Sequence, residues 1–292
     1  MLLANNRILL IGSNGFLGSY LYLKSSNFFE VLGTYYKTVS NSNSVFLDVT
    51  DIDSVCSLVS EFKPNIIINC SAYTNVDKAE LNKKNVRDVN VLGLQNIIKS
   101  CSIHTKIVHI SSDYVFDGEK GDYKESDSTH PINYYGKTKL ESENILKGAN
   151  RSFVIYRPNV LYSDDINSSS FFSWVRKSLK SNQEIKIVDD QISNPTYIPD
   201  FVDVILDSVL MGYEGVLHIG SEDSLSRYQF ALKVANVYGF NSDNIIPIKT
   251  KSLGQLAERP KKSNLNCDKI VQDLNFSLKT TDYYLNKIYQ TT

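Results

Sequence analysis

The apolar run Ile8-Leu9-Leu10-Ile11 leads directly into Gly12-Ser13-Asn14-Gly15-Phe16-Leu17-Gly18, so a strand must turn through three glycines into a helix. Fourteen glycines in 292 residues make roughly 0.03 accidental copies of this spacing, which marks it as a built feature. Glycine serves where the backbone turns tightly and comes close to a pyrophosphate, and the positive end of the following helix then attracts that anion. Gly12, Asn14, Gly15, Phe16, Leu17 and Gly18 are therefore expected to bind a dinucleotide cofactor.

The rest of the chain fits a sheet that starts this way. Apolar runs at 7–11, 30–35, 44–47, 65–69, 105–111 and 152–157 alternate with amphipathic stretches, the rhythm of a parallel sheet. Val55, Leu58, Val59 and Phe62 recur at helical spacing before Pro64, and Val89, Leu92, Leu94, Ile97 and Ile98 do so before the strand at 105. Polar loops are expected at 38–44, 117–133 and 163–170. The predicted fold is α/β, a Rossmann-like doubly wound parallel sheet with a smaller C-terminal substrate-binding lobe. The boundary is set at residues 157 and 158, although a helix near 199–212 and a strand at 215–219 are able to return to the sheet.

Composition narrows the function. With 31 basic and 32 acidic residues the chain offers no electrostatic footprint for nucleic acid or an anionic membrane. No apolar run approaches the roughly 20 residues of a membrane-spanning helix. Cys56, Cys70, Cys101 and Cys267 show neither C-x-x-C spacing nor a preceding secretory signal, and are read as reduced cytoplasmic thiols.

Tyr135 and Lys139 lie one helical turn apart and share a face. A phenol with an ordinary pKa near ~10 stays a proton donor at neutral pH, and a nearby ammonium stabilises the phenolate it leaves. Eighteen Tyr and 24 Lys make roughly 1.5 chance Tyr-x-x-x-Lys pairs, and Tyr20/Lys24 and Tyr283/Lys287 match as well. Context chooses Tyr135, because Ser112 stands 23 residues earlier at the end of the strand Lys106–Ile110. Ligands of open parallel sheets bind at such strand ends. Ser112 is a carbonyl polariser here rather than a nucleophile, since there is no G-x-S-x-G elbow and no partner among His104, His109, His130 and His218. His104 and His109 lack the spacing and third ligand of a metal site, so no metal is expected.

Four blocks extend the pattern along the chain: Asn69 to Glu80, Ser111 to Gly118, Tyr135 to Glu141, and Arg157-Pro158-Asn159-Val160-Leu161-Tyr162. Asp190-Gln191, Pro195-Thr196, Glu258-Arg259-Pro260, Ser263 and Leu265 continue it. Together with Gly12–Gly18 they resemble the extended short-chain dehydrogenase/reductases, and within them the dTDP-4-dehydrorhamnose reductase family. That resemblance implies reduction of a 4-keto-6-deoxy nucleotide sugar to its alcohol in deoxysugar and polysaccharide biosynthesis. It assigns Ser112 to the substrate carbonyl, Tyr135 to proton donation, and Lys139 to the phenol and the nicotinamide ribose. It further implies Asp48 and Val49 near the adenine, and Ala72 and Tyr73 along the path to the nicotinamide. Asp113, Tyr114, Asn159 and Arg259 become candidates for substrate contacts, Arg259 because a guanidinium fork matches phosphate oxygens. The family more often carries threonine at position 112; serine keeps the hydroxyl but not the methyl that restricts its rotamer.

Cofactor choice depends on the end of the second strand, Gly33-Thr34-Tyr35-Tyr36-Lys37. No carboxylate is present there to repel a 2′-phosphate, and Lys37 is in reach, which favours NADPH over NADH. Arg7 adds to this only if its side chain turns to the same edge. Nucleotide-sugar dehydratases resemble one another in an Asp-Glu pair after the hydroxyl residue, whereas Asp113 precedes Tyr114 here, so elimination lacks its second carboxyl. Two alternatives stay open: an epimerase of the same fold, and a non-catalytic NADP-binding subunit resembling the methionine adenosyltransferase β subunit. The resemblance allows a homodimer, for which the sequence has no distinct signature. Phe171, Phe172 and Trp174, at helical spacing, are read as core rather than as a base-stacking surface.

Overall fold

The computed structural model describes residues 6–37 and 44–291, so the loop expected at 38–44 lies outside the described residues except for Ser44. The first half runs β1 (Arg7–Ile11), α1 (Phe16–Ser25), β2 (Glu30–Tyr35), β3 (Ser44–Phe46), α2 (Ile52–Phe62), β4 (Ile66–Asn69), α3 (Val76–Leu81) and α4 (Lys83–Arg87). A π-helical turn (Asp88–Leu92) follows, then α5 (Gly93–Ser100), β5 (Lys106–Ile110), α6 (Tyr134–Lys147) and β6 (Phe153–Pro158). The second half holds β7 (Leu161–Tyr162), α7 (Phe171–Lys180), β8 (Ile185–Val188), β9 (Ile192–Ser193), β10 (Thr196–Tyr197), α8 (Ile198–Leu210) and β11 (Gly215–Ile219). It closes with β12 (Leu225–Ser226), α9 (Arg227–Tyr238), β13 (Ile245–Ile248), α10 (Asp268–Leu274) and α11 (Thr281–Thr291).

Seven strands form one sheet in the order β11-β6-β5-β4-β1-β2-β3, and the pairs from β3 through β6 are parallel. Stripped of β11, this is the 3-2-1-4-5-6 order of a Rossmann sheet, with β1 the switch strand between β2 and β4. Ile8, Leu9, Leu10 and Ile11 are buried because a central parallel strand is covered on both faces. The strand at 215–219 does return to the sheet as β11.

Local signals set the helix ends. Asp51 caps α2 by accepting from the N–H groups of Asp53 and Ser54, and Lys63 ends it in the left-handed conformation just before Pro64. Asn133 caps α6 by accepting from Gly136 N–H at 2.8 Å. The helix expected around Val89–Ile98 is interrupted: Asp88–Leu92 forms a π turn before α5 begins. Hydrophobic spacing does not register one extra residue in a turn, so only the folded chain reveals it.

The chain divides into two compact units. The first comprises residues up to Ser112, Asn133–Tyr156 and Val202–Val216; its core joins Leu9, Ile11, Ile67, Ile107 and Ile155 of the sheet to Val55, Val59, Leu94 and Ile97 of the helices. The second comprises Asp113–Ile132, Arg157–Phe201 and Leu217–Thr292, around Tyr162, Phe172, Tyr197, Phe230 and Leu285. Asp113–Ile132 thus belongs with the second unit although it precedes residue 157. Its anchor is Tyr123, whose N–H donates to Asn264 O while its carbonyl accepts from Asn266 N–H at 2.7 Å. Phe116 stacks on the Tyr123 ring at 4.2 Å, and the Arg157 guanidinium lies over the Phe116 ring at 5.1 Å.

Candidate active site

In the first unit, the carboxyl ends of β1, β2 and β4 surround a cleft of about 460 Å³, within the ~300–1,000 Å³ of small-ligand sites. Gly12, at φ +82°, begins the turn out of β1, and its N–H donates to Thr34 Oγ1. A Cβ on Gly18 would stand 2.1 Å from Gly12 O, so the third glycine is what lets α1 lie against the end of β1. Gly12, Asn14 and Gly15 line the cleft, while Leu17 and Gly18 are buried in α1 and Phe16 is not on the cleft wall. Asp48, Val49, Ala72 and Tyr73 line it, and so does exposed Lys37. Arg7 does not: its guanidinium bonds Glu30 at 2.8 Å and stacks over Phe62 at 4.4 Å.

Further along the sheet, β5 ends at Ile110 and is followed by buried Ser111 and Ser112. Lys139 reaches this end from α6, its Nζ donating to Ile110 O at 2.5 Å. Tyr135, one turn earlier on α6, is also buried. Burial pushes the Lys139 ammonium down to about 8, against the opposing fields of Glu143 and Cys70. Burial likewise lifts the Cys70 thiol to about 12, with Lys139 working the other way. The His109 imidazole is driven well below its ordinary range, first by burial and then by Lys139. It is held as a neutral ring between Asn69 Nδ2, 3.4 Å from Nδ1, and Ser142 Oγ, 3.0 Å from Nε2.

The π turn has its own part in this unit. It carries buried Asn90, whose Oδ1 accepts from Tyr73 N–H at 2.7 Å and whose Nδ2 donates to Thr138 Oγ1 at 3.0 Å. Asn90 thereby ties the cleft wall to α6.

In the second unit, a narrow recess is walled by Asp113, Tyr114, Asn159, Gln191, Arg227 and Ser263, among others. Both ends of the Asn159 amide are bonded to backbone: Oδ1 accepts from Val160 N–H, and Nδ2 donates to Ser263 O at 2.9 Å. Arg227 lies over the Phe171 ring at 5.0 Å; burial lowers its pKa, and Asp113 and Tyr114 favour its charge.

A strand–glycine–helix cleft beside a buried Tyr/Lys helix is shared by many reductases, and comparison of the whole chain decides among them. Residues 6–292 match the model of the RmlD substrate binding domain. The chain belongs to the RmlD substrate binding domain family.

Relatives of this RmlD-family chain include reductases and methionine adenosyltransferase subunits. It is 34% identical to the dTDP-4-dehydrorhamnose reductase of Aggregatibacter actinomycetemcomitans, over 95% of each chain. It is 29% identical to methionine adenosyltransferase 2 subunit beta of Xenopus tropicalis, over 90% of this chain and 81% of that one. Among solved structures, the dTDP-4-dehydrorhamnose reductase of Bacillus anthracis in complex with NADP superimposes with a TM-score of 0.90 at 29% identity, covering 98% of this chain and 99% of that one. A UDP-glucose 4-epimerase of Thermotoga maritima shares the fold at TM-score 0.83 and 18% identity, covering 97% of each.

Neither of the other Tyr-x-x-x-Lys pairs lines the cleft or the recess. Lys24 pairs with Asp203, and Tyr283 is exposed on α11 with Lys287 near Asp200. Arg259 is absent from the recess wall and donates to Ala257 O at 2.6 Å. Of the aromatic trio, Phe172 is core and Phe171 packs on it, but Trp174 is 44% exposed, contrary to the core reading. Asn90 and Arg227 escaped the sequence reading. A polar residue inside the apolar stripe from Val89 to Ile98 was a usable sign for Asn90; Arg227 gave none.

Proposed function

We propose that this chain is a nucleotide-sugar 4-ketoreductase, converting a 4-keto-6-deoxy nucleotide sugar of the dTDP-4-dehydrorhamnose type to its alcohol with NADPH. The observation that carries this reading is the bond from Lys139 to Ile110 O, which brings the Tyr135/Lys139 face of α6 against the strand end that bears Ser112. The 34% identity to a dTDP-4-dehydrorhamnose reductase over 95% of the chain supports the substrate class.

The cleft suits a dinucleotide by its place at the carboxyl ends of β1, β2 and β4 and by the turn at Gly12, where a Cβ would crowd Ser71 N at 3.2 Å. Gly12, Asn14 and Gly15 would hold the pyrophosphate, Asp48 and Val49 the adenine side, and Ala72 and Tyr73 the way to the nicotinamide. The reduced nicotinamide, when bound, supplies hydride to the C4 carbonyl carbon. Tyr135 gives its phenolic proton to the carbonyl oxygen, and Ser112 donates a hydrogen bond that orients that oxygen. Lys139 offsets the phenolate charge and holds the ribose. Asp113 and Tyr114 would face the sugar, and Arg259 the diphosphate, with Asn159 shaping the loop between them. Exposed Lys37 and the absence of a carboxylate at the end of β2 favour the 2′-phosphate of NADPH. Four free thiols suit a reducing compartment, and the reaction is assigned to the cytoplasm.

Purified protein with NADPH and a panel of dTDP-, GDP-, UDP- and CDP-linked 4-keto-6-deoxy sugars should show loss of nicotinamide absorbance with the dTDP sugar foremost. A kcat/KM at least tenfold better with NADH would reject the cofactor choice. The likeness to methionine adenosyltransferase 2 subunit beta sustains a second reading, a binding subunit. Association with a methionine adenosyltransferase, with no turnover of any sugar in the panel, would establish it instead.

A further inference from the structure

Glu143 is the most deeply buried carboxylate of α6, with its side chain fully shielded from solvent, and the chemistry above does not use it. It sits one helical turn beyond Lys139, on the same face. Its Oε1 accepts from Ser111 Oγ at 2.6 Å, and its Oε2 accepts from Lys147 Nζ at 2.9 Å. Ser111 is the residue immediately before Ser112, and its N–H donates to Tyr156 O in β6. An isolated carboxylate is costly to bury, so a buried one persists where it is bonded and balanced by cations. Here the cations stand on both sides along the helix, Lys139 toward the sheet end and Lys147 toward solvent.

We propose that Glu143 is the positioning residue of the proton-transfer site: it clamps α6 to the end of β5 through Ser111, and it supplies the counter-charge that keeps Lys139 an ammonium. This rests on the ketoreductase reading for its consequence in turnover, but not for its consequence on Lys139. The other groups facing Lys139 do not provide that charge. His109 on β5 is a neutral ring between Asn69 and Ser142, and the Cys70 thiol after β4 is held protonated by burial. Glu141 points to Arg87, and Glu80 accepts from Tyr134 N–H at the start of α6. Two groups oppose the burial that drives Lys139 toward neutrality, and Glu143 exerts the larger field, Cys70 the smaller.

The test reads the Lys139 ammonium directly, by NMR titration of ¹³Cε-labelled lysine with the resonance assigned by its loss in Lys139→Arg, and in parallel the alkaline limb of kcat. Glu143→Gln retains an acceptor for Ser111 and removes the charge, so the Lys139 pKa and the alkaline limb should both move down, by at least about half a unit. Lys147→Met removes the competing cation and should move both up. Ser111→Ala, which leaves the charge, should keep the titration and lower kcat. A Lys139 titration unmoved in Glu143→Gln, or moved the same way in Glu143→Gln and Lys147→Met, overturns the proposal. If Glu143→Gln does not fold, an unmoved Lys147→Met titration overturns it. Failure of the parent to reduce any 4-keto sugar would instead strike the functional reading and leave the titration to be judged alone.

Discussion

At the scale of single residues, the site depends on protonation states that burial sets. In the proposed mechanism Tyr135→Phe removes the proton donor but leaves the cleft walls in place, so kcat should fall by at least ~10²-fold while NADPH affinity, measured by fluorescence titration, is retained. An unchanged kcat would assign Tyr135 to packing. Lys139 titrates near 8 in the fold, and reduction should therefore decline as pH rises above that value. Stability runs the other way. The folded chain releases this proton before the unfolded chain does, so the cost of burying the ammonium is full below about 8 and fades toward the ordinary lysine range near ~10.4. Lys139→Met removes that titration, so the parent's stability relative to Lys139→Met in urea unfolding should rise between pH 7 and pH 10.

At the scale of elements, the glycine turn is the most demanding piece of backbone. Gly18→Ala puts a methyl 2.1 Å from Gly12 O, and since that oxygen is backbone and cannot swing aside, α1 must move off β1. The expected result is a fall in Tm together with at least ~10-fold weaker NADPH binding, because the same turn is the proposed pyrophosphate cradle. A variant with parental affinity would show that the cradle does not depend on this packing. Asp51→Ala offers the contrast: it removes the α2 cap and should lower the urea unfolding midpoint without touching the cleft. Strands of four to six residues with continuous apolar character were readable from sequence at β1, β2, β4, β5 and β6. The two-residue strands β7, β9, β10 and β12 were not, because so short a pairing leaves no periodicity; the partner across the bridge creates it.

At the scale of the whole molecule, cofactor binding is expected to report on the nucleotide-binding unit. A ligand present at 100 times its Kd stabilises the folded state by about 2.7 kcal/mol, so NADPH should raise Tm, and by more than NADH at equal concentration if Lys37 meets the 2′-phosphate. Equal shifts would remove Lys37 from that role. The sequence by itself determined the Rossmann sheet, the strand–glycine–helix turn and the placing of a Tyr/Lys pair on one helical face. These follow from period, spacing and the special geometry of glycine, all of which act over a few neighbouring residues. Only the tertiary structure decided that Asp113–Ile132 joins the second unit through Tyr123, that Arg7 is spent on Glu30 and Phe62, and that Asn90 and Glu143 brace α6. Each of these is a contact between residues far apart in the chain, whose partners are fixed by packing and by the need to satisfy buried polar groups, and a linear pattern does not encode which ones meet.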